Sequence, residues 1–474
     1  MTTWHGRNIT VAGLGVSGIS AARALAGLGA SVTVVDGGDS ETHRLRATVL
    51  TAEGISVRLA DAVTLPEGTD LVVTSPGWKP ESPLFAAAAE AGVDVVGDVE
   101  IAWQLRGRDG REPAPWLAIT GTNGKTTTTQ MLASILTAAG KRTAAVGNIG
   151  TPIIDVVLAD ESYDVLAVEL SSYQLHWAPS VHAHSAAVLN LAPDHLDWHG
   201  SMEAYAADKG RIYEGNSVAC VYNAADPATE DLVREADVEE GCRAIGFTLG
   251  PPGPSQLGVV DGILVDRAFV TNRQKNAQEL AEVADINPPA PHNIANALAA
   301  AALARAYGVD PAAVRDGLRA FRPDAHRIEH VADVAGVAYI DDSKATNTHA
   351  AQASLAAYES IVWIAGGLAK GAAFDELVTG AAGRLRAVVL IGAERALIAE
   401  ALARHAPEVP VVDLDRTDTG AMSAAVREAA GLAKPGDTVL MAPACASMDM
   451  FANYNKRGEA FADAVRELAA DGSQ

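Results

Sequence analysis

The residues best suited to chemistry stand in one stretch, Leu117-Ala-Ile-Thr-Gly-Thr-Asn-Gly-Lys-Thr-Thr-Thr-Thr129, where a short β-branched run meets a glycine loop that opens into a helix. Such a loop cradles phosphate. Gly121 and Gly124 let the backbone turn with its N–H groups inward, Lys125 reaches the β- and γ-phosphates, and the Thr126 hydroxyl sits on Mg²⁺. Thr122, Asn123 and Thr127 complete the candidate nucleotide-binding set. Behind the loop Met131, Leu132, Ile135, Leu136 and Ala139 recur at helical spacing, so the context is strand, loop and helix N-terminus. The loop departs from the usual G-x-x-x-x-G-K-[ST]: Ile119 stands where the first glycine belongs, and Gly121 comes three residues before Gly124. A glycine turn carrying a surface lysine is the plain alternative.

Further groups can be read from position. Glu169, in Val168-Glu-Leu-Ser-Ser-Tyr-Gln174, closes an apolar run; a carboxylate at a strand end beside a phosphate loop offers a hard oxygen ligand for Mg²⁺. A solvated strand-end glutamate is the alternative. Asn293 and Asn296 lie one turn apart in an alanine-rich helical stretch, so both amides reach one flat ring edge. Near the start, Asn8-Ile-Thr-Val-Ala12 runs into Gly13-Leu-Gly-Val-Ser-Gly18 and a helix, and a second strand, Ser31-Val-Thr-Val-Val35, ends at Asp36, where a dinucleotide-binding unit places its ribose-binding acid. On that motif alone a nicotinamide-binding domain leads, although the same geometry holds any pyrophosphate. His182 and His184 have no further ligands at a fitting spacing, which argues against zinc.

The elements that must position these groups alternate between strand and helix. After the two strands named above, runs at 70–74 and 94–96 continue a first parallel sheet. Runs at 143–146, 163–168, 185–189 and 217–221 accompany the phosphate loop in a second, and runs at 336–340, 361–365, 387–391 and 438–442 repeat the pattern. Residues 247–291 show weak periodicity and receive no elements. Glycine- and proline-rich stretches at 106–115 and 322–327 read as linkers. The expected architecture is α/β with three domains: Rossmann-like over 1–112, a central P-loop domain with a mostly parallel sheet over 113–324, and Rossmann-like again over 325–474.

Composition agrees, since 474 residues that are 49% hydrophobic and poor in aromatics suit packed α/β domains. A net charge of −23 disfavours nucleic acid and anionic membranes as partners, and phosphorylated ligands then need local cations. Cys220, Cys242 and Cys445 lie far apart without metal-ligand spacing, and no signal peptide or long apolar run is evident, so a soluble cytoplasmic chain is expected.

The Gly-Thr-Asn-Gly-Lys-Thr loop resembles the Mur ligase family, ATP-dependent amide-bond-forming enzymes of peptidoglycan precursor synthesis, with folylpolyglutamate synthases as relatives. The resemblance continues through Glu-Leu-Ser-Ser-x-Gln at 169–174, Asn190 to Asp197, the segment around Lys209, His-Asn-x-x-Asn at 292–296, and Asp342-Ser-Lys-Ala-Thr-Asn347. Pro443 to Tyr454, followed by Lys456-Arg-Gly458, adds a last match. The 342–347 segment is similar to that of members that add D-glutamate. The implied reaction joins D-glutamate to UDP-N-acetylmuramoyl-L-alanine through an acyl phosphate, with ATP, two Mg²⁺ sites, small-molecule substrates only and a monomeric enzyme.

The resemblance also implies roles. Lys125, Glu169, His195 and Lys209 would be catalytic, with Thr126 and Glu169 on one metal and His195 and Lys209 on the other. Mg²⁺ prefers oxygen, so His195 enters on resemblance alone; an ammonium cannot coordinate a cation, so Lys209 would act as a carbamate. Val16, Ser17, Asp36, Gly77, Asn148 and Ser171 would meet the UDP-sugar. Asn293 and Asn296 would border adenine, and Arg327, Asp342 and Lys344 would reach the nucleotide from the third domain, so that closure across the linker accompanies catalysis. Thr346, Lys370, Ser447 and Tyr454 would bind D-glutamate. Two departures stand out: Trp198-His199 where the family commonly has Arg-Tyr, and Tyr454 where phenylalanine is usual. An NAD-dependent oxidoreductase would explain Gly13 to Asp36 and a nucleotide switch the P-loop, but neither accounts for Asp342 to Thr346.

Overall fold

A computed structural model describes residues 4–107, 110, 112–323, 325–418 and 420–471. Arg108, Asp109 and Arg111 of the first expected linker and Asp324 of the second lie outside the described residues. Three sheets organise the described residues. The first is parallel, in the order β3-β2-β1-β4-β5, with β1 Asn8–Ala12, β2 Ser31–Asp36, β3 Ser56–Leu59, β4 Leu71–Thr74 and β5 Val95–Gly97.

The second sheet has the order β14-β13-β12-β11-β10-β9-β6-β8-β7. Its strands are β6 Trp116–Thr120, β7 Ala145–Gly147, β8 Leu166–Glu169, β9 Ser185–Val188, β10 Ala219–Asn223, β11 Arg243–Phe247, β12 Gln256–Val260, β13 Ile263–Asp266 and β14 Gln278–Glu282. Pairing is parallel from β7 across to β12 and antiparallel from β12 to β14. The third sheet runs β15-β16-β20-β17-β18-β19, with β15 Glu329–Val334, β16 Val337–Asp341, β17 Ile361–Ala365, β18 Leu385–Leu390, β19 Val411–Asp413 and β20 Thr438–Met441. Among the described residues of this sheet β15 pairs antiparallel with β16 and the other pairs are parallel.

β6 and β17 are buried at every position, and their near-continuous apolar runs are what strands covered on both faces require. The segment that received no elements holds β12, β13 and β14. Asp261 (φ 49°) and Gly262 (φ 78°) make the two-residue turn between the paired Val260 and Ile263, the geometry that an Asp-Gly hairpin turn favours. Cys220 and Cys242, separated by 22 positions, are brought by the β10–β11 pairing to an Sγ–Sγ distance of 3.9 Å, closer than their spacing implied.

The first two sheets belong to one compact unit (1–286 with 293–321) and the third to another (287–292 with 322–474). Within the first unit one apolar core runs from Val11 and Val34 of the first sheet to Ala118 and Val168 of the second. Ser20 Oγ donates to Asp155 Oδ1 at 2.6 Å, and Ser180 N donates to Glu100 Oε2 at 3.0 Å, so polar contacts also join these layers. Behind the phosphate loop, the helix Lys125–Ala138 buries Met131, Leu132, Ile135 and Leu136, each contributing about 1.5–3 kcal/mol of burial.

The helix Pro311–Ala320 lies close against Lys125–Ala138, because Gly317 has no side chain to hold it off: a Cβ there would sit 2.3 Å from Ile135 Cα. Ser134 Oγ donates to Gly317 O at 2.7 Å and locks the approach. Alanine would gain about 1 kcal/mol of helix propensity, but overpacking against backbone costs about 1–3 kcal/mol and has no flexible atom to displace. Gly317→Ala should therefore lower the urea midpoint of unfolding; an unchanged or higher midpoint would refute the close-contact argument.

Candidate active site

The register of the second sheet brings three strand ends together. Ile119 of β6 lies beside Glu169 of β8, and Thr120 lies beside Val188 of β9, so the phosphate loop, Glu169 and the segment from Asn190 leave the same edge. Gly121 and Gly124 have φ of 151° and 84°, and a Cβ on Gly124 would fall 2.4 Å from Asn296 Oδ1. That loop therefore needs glycine both for its turn and for the approach of the Asn293–Asn296 helix face, where Asn296 Nδ2 donates to Asn293 Oδ1 at 3.4 Å. The loop is braced from Asn190, whose Oδ1 accepts from Asn123 N at 2.9 Å and whose Nδ2 donates to Asn123 O at 3.0 Å. Lys125 Nζ donates to the Gly121 and Thr122 carbonyls at 2.9 and 3.0 Å. Thr126 and Thr127 follow in the first turn of the helix.

Glu169 is buried. Its Oε1 accepts from Asn148 Nδ2 at 2.9 Å, while Oε2 has no partner. A buried carboxylate with a bare oxygen is costly unless a cation or donor meets it, so the residues present fit a hard divalent ion. Lys209, on the helix Met202–Gly210, is 1% exposed and donates to Gly121 O at 3.0 Å. Burial drives its pKa well below the ordinary value and the Lys125 charge adds to this, against the opposing pull of Asp194, Glu169 and Asp208. The amine is thereby shifted toward its neutral form, the one that reacts with CO₂. His195 opens the short helix Leu196–His199 with φ 55°, half exposed, its ring 5.0 Å from that of Tyr173. Ser171 caps the helix Ser172–His176, so its hydroxyl serves Gln174 N at 3.2 Å.

Sequence reading passed over a polar cluster beside these groups. Asp208 takes hydrogen bonds from His176 Nδ1 and His199 Nδ1, both at 2.9 Å. Burial pushes its carboxyl up, and the two histidine bonds outweigh that and bring it down to about 2. The one signal for this cluster was the departure at Trp198-His199.

In the first sheet, the Gly13–Gly18 loop joins β1 to the helix Val16–Gly27. Asp36 Oδ2 accepts from Leu14 N and Oδ1 from Gly38 N, both at 2.7 Å, so this acid braces its own loop. A Cβ on Gly13 would meet Ser75 Oγ at 2.6 Å, which places the loop carrying Gly77 against the first glycine loop. Val16 is exposed, and Ser17 hydrogen-bonds Asp98, whose burial pushes its carboxyl up to about 6.

The second unit gathers its expected residues by backbone pairing. Ala444 N donates to Ala345 O at 3.0 Å, and Leu368 and Ala446 exchange two bonds of 2.9 Å, so the loops carrying Thr346, Lys370 and Ser447 are pinned to one another. Lys344 Nζ lies 3.9 Å over the Tyr454 ring. Asp342 is buried, which pushes its carboxyl up to about 6; it accepts from Ser354 Oγ and, at 3.3 Å, from Ile328 N. Arg327 stands between His326 and Ile328, which adopt φ of 65° and 49°.

Three family models match in order: Mur ligase MurD-like, N-terminal domain, at 7–97; Mur ligase middle domain at 119–304; and Mur ligase, glutamate ligase domain, at 326–445. The UDP-N-acetylmuramoylalanine–D-glutamate ligase of Streptomyces avermitilis is 80% identical over 470 residues, 99% of this chain and 100% of that one. The chain belongs to the Mur ligase family. The similarly named Mur ligase of Thermobifida fusca is 60% identical, over 98% of this chain and 99% of that one. Among solved structures, the UDP-N-acetylmuramate-alanine ligase of Thermotoga maritima shares the fold at TM-score 0.56 and 18% identity (98% and 100% covered), and MurF from Acinetobacter baumannii at 0.57 and 17% (86% and 91%).

In this Mur ligase the buried lysine carries a stability cost that depends on pH. A depressed folded pKa means that the cost of Lys209 is full below that pKa and fades as pH rises toward 10.5, its ordinary value. In CO₂-depleted buffer, Lys209→Met should raise the thermal midpoint at pH 7, with an advantage that shrinks toward pH 10. A lower midpoint at both pH values would contradict the burial argument.

Proposed function

We infer that this Mur ligase joins D-glutamate to UDP-N-acetylmuramoyl-L-alanine with hydrolysis of ATP to ADP and phosphate, in peptidoglycan precursor synthesis. The observation that carries the chemistry is the phosphate loop at the end of β6 beside the bare, buried Glu169 oxygen. A carboxylate oxygen of the L-alanine unit attacks the γ-phosphorus, ADP leaves, and the resulting acyl phosphate is attacked by the D-glutamate amine. The amine loses a proton and phosphate departs. Lys125, released from its loop carbonyls, offsets charge on the transferring phosphoryl group.

Thr126 and Glu169 would hold one Mg²⁺, and His195 with Lys209 as its carbamate a second. Bound there, the ion supplies charge neutralisation on the phosphoryl oxygens. The depressed Lys209 pKa supports the carbamate, since only the neutral amine takes up CO₂. Val16, Ser17, Asp36, Gly77, Asn148 and Ser171 are assigned to the UDP-sugar, and Asn293 and Asn296 to adenine. Arg327, Asp342 and Lys344 are assigned to the nucleotide on resemblance alone. Thr346, Lys370, Ser447 and Tyr454 are assigned to D-glutamate, whose two carboxylates need a cation and short donors in so acidic a chain. An oxidoreductase, which the first glycine loop would admit, leaves the second loop without a role.

The test is phosphate release with UDP-N-acetylmuramoyl-L-alanine against a panel of amino acids. D-glutamate alone should support turnover; equal use of L-glutamate or L-lysine would reject the assignment. Lys125→Ala should abolish release in a folded protein. Losing a charge-assisted hydrogen bond costs about 1.5–3 kcal/mol, so Lys370→Ala should raise the D-glutamate KM at least about tenfold and leave the ATP requirement nearly unchanged. An unchanged D-glutamate KM would remove Lys370 from the pocket.

A further inference from the structure

One imidazole ties together three segments that carry the assigned residues. His199 ends the helix Leu196–His199 just after His195, and its side chain is 0% exposed. Nδ1 meets Asp208 Oδ2 at 2.9 Å, and Nε2 meets Ser172 Oγ at 3.0 Å. The carboxylate can only accept, so Nδ1 carries a proton and donates to it, while Nε2 bonds the serine hydroxyl; both ring nitrogens are used. The ring also lies nearly parallel to Tyr173 at 5.5 Å and edge-on to Tyr205 at 5.2 Å.

Each of these partners adjoins an assigned residue. Ser172 follows Ser171 and the Glu169 strand end, and Asp208 precedes Lys209. Tyr205 continues the connection to the phosphate loop: its OH lies 3.0 Å from Thr122 Oγ1, and Lys209 Nζ sits 4.6 Å over its ring. Asp208 is also held by His176 and, at 3.3 Å, by Arg211 Nε, so His199 pulls on a fixed anchor.

We propose that His199 is a positioning residue for the ligase reaction, holding Lys209, His195 and the Glu169 strand end in the mutual placement that divalent cation binding requires. The proposal rests on the reading that these three residues bind Mg²⁺. Removal of such an outer partner weakens metal binding without touching the metal or the D-glutamate pocket.

His199→Phe keeps an aromatic ring and removes both bonds; His199→Asn retains an N–H donor near the Nδ1 position. Free Mn²⁺, a probe for the Mg²⁺ site, is measured by electron paramagnetic resonance with full-length protein and ADP, alongside the Mg²⁺ and D-glutamate dependence of phosphate release. The phenylalanine variant should bind Mn²⁺ and respond to Mg²⁺ at least about tenfold more weakly, with its D-glutamate KM within about twofold of wild type. The asparagine variant should recover most of the loss. Wild-type Mn²⁺ binding by His199→Phe, an equal rise in D-glutamate KM, or no recovery in His199→Asn would overturn the proposal. Should circular dichroism show His199→Phe unfolded, Ser172→Ala, which cuts the bond to Nε2 alone, decides by the same criteria. Failure of the functional reading shows separately, as wild-type protein whose phosphate release does not depend on D-glutamate.

Discussion

β6 lies between β8 and β9, all three run parallel, and their C-terminal ends therefore open at one edge of the sheet. Every group at the first site inherits its place from that pairing. The phosphate loop leaves β6, Glu169 closes β8, and Asn190 after β9 returns two amide bonds to Asn123. A slip of one residue in β8 would turn Glu169 to the opposite face of the strand. Open parallel sheets place ligands at such edges because helix N-termini and strand-end side chains converge there.

Electrostatics at this edge run against the whole chain. A net charge of −23 repels phosphates at long range, and Lys125 supplies the local correction. Lys125 and Lys209 both donate to the Gly121 carbonyl, at 2.9 and 3.0 Å. Two cations sharing one acceptor repel each other, and the buried one yields: burial first, and then Lys125, drive Lys209 toward its neutral form. The neutral amine that results is the form that the proposed carbamate requires.

What the sequence made legible follows physical rules. β1, β6 and β17 are mostly apolar runs each followed by a glycine, and they stand where the pattern placed them. β12 to β14 were passed over because Pro and Gly dilute the periodicity, although Asp261-Gly262 between apolar pairs is itself a hairpin signal. Residues of the phosphate loop and of the helix it opens, such as Gly124 and Lys125, announce themselves by local spacing. The His176–Asp208–His199 cluster does not, since its members come from separate elements and meet only through packing. Likewise the Ala345–Ala444 and Leu368–Ala446 bonds that gather Thr346, Lys370 and Ser447 join segments far apart in the chain.

The central claim is that the phosphate loop transfers phosphoryl to a substrate carboxylate before the amide forms. It is tested most directly by oxygen transfer, with UDP-N-acetylmuramoyl-L-alanine labelled with ¹⁸O in the alanine carboxylate, unlabelled ATP and D-glutamate. The account predicts that the released inorganic phosphate carries one ¹⁸O from the substrate and that the amide keeps the other. Unlabelled phosphate formed at the rate of amide formation would contradict it.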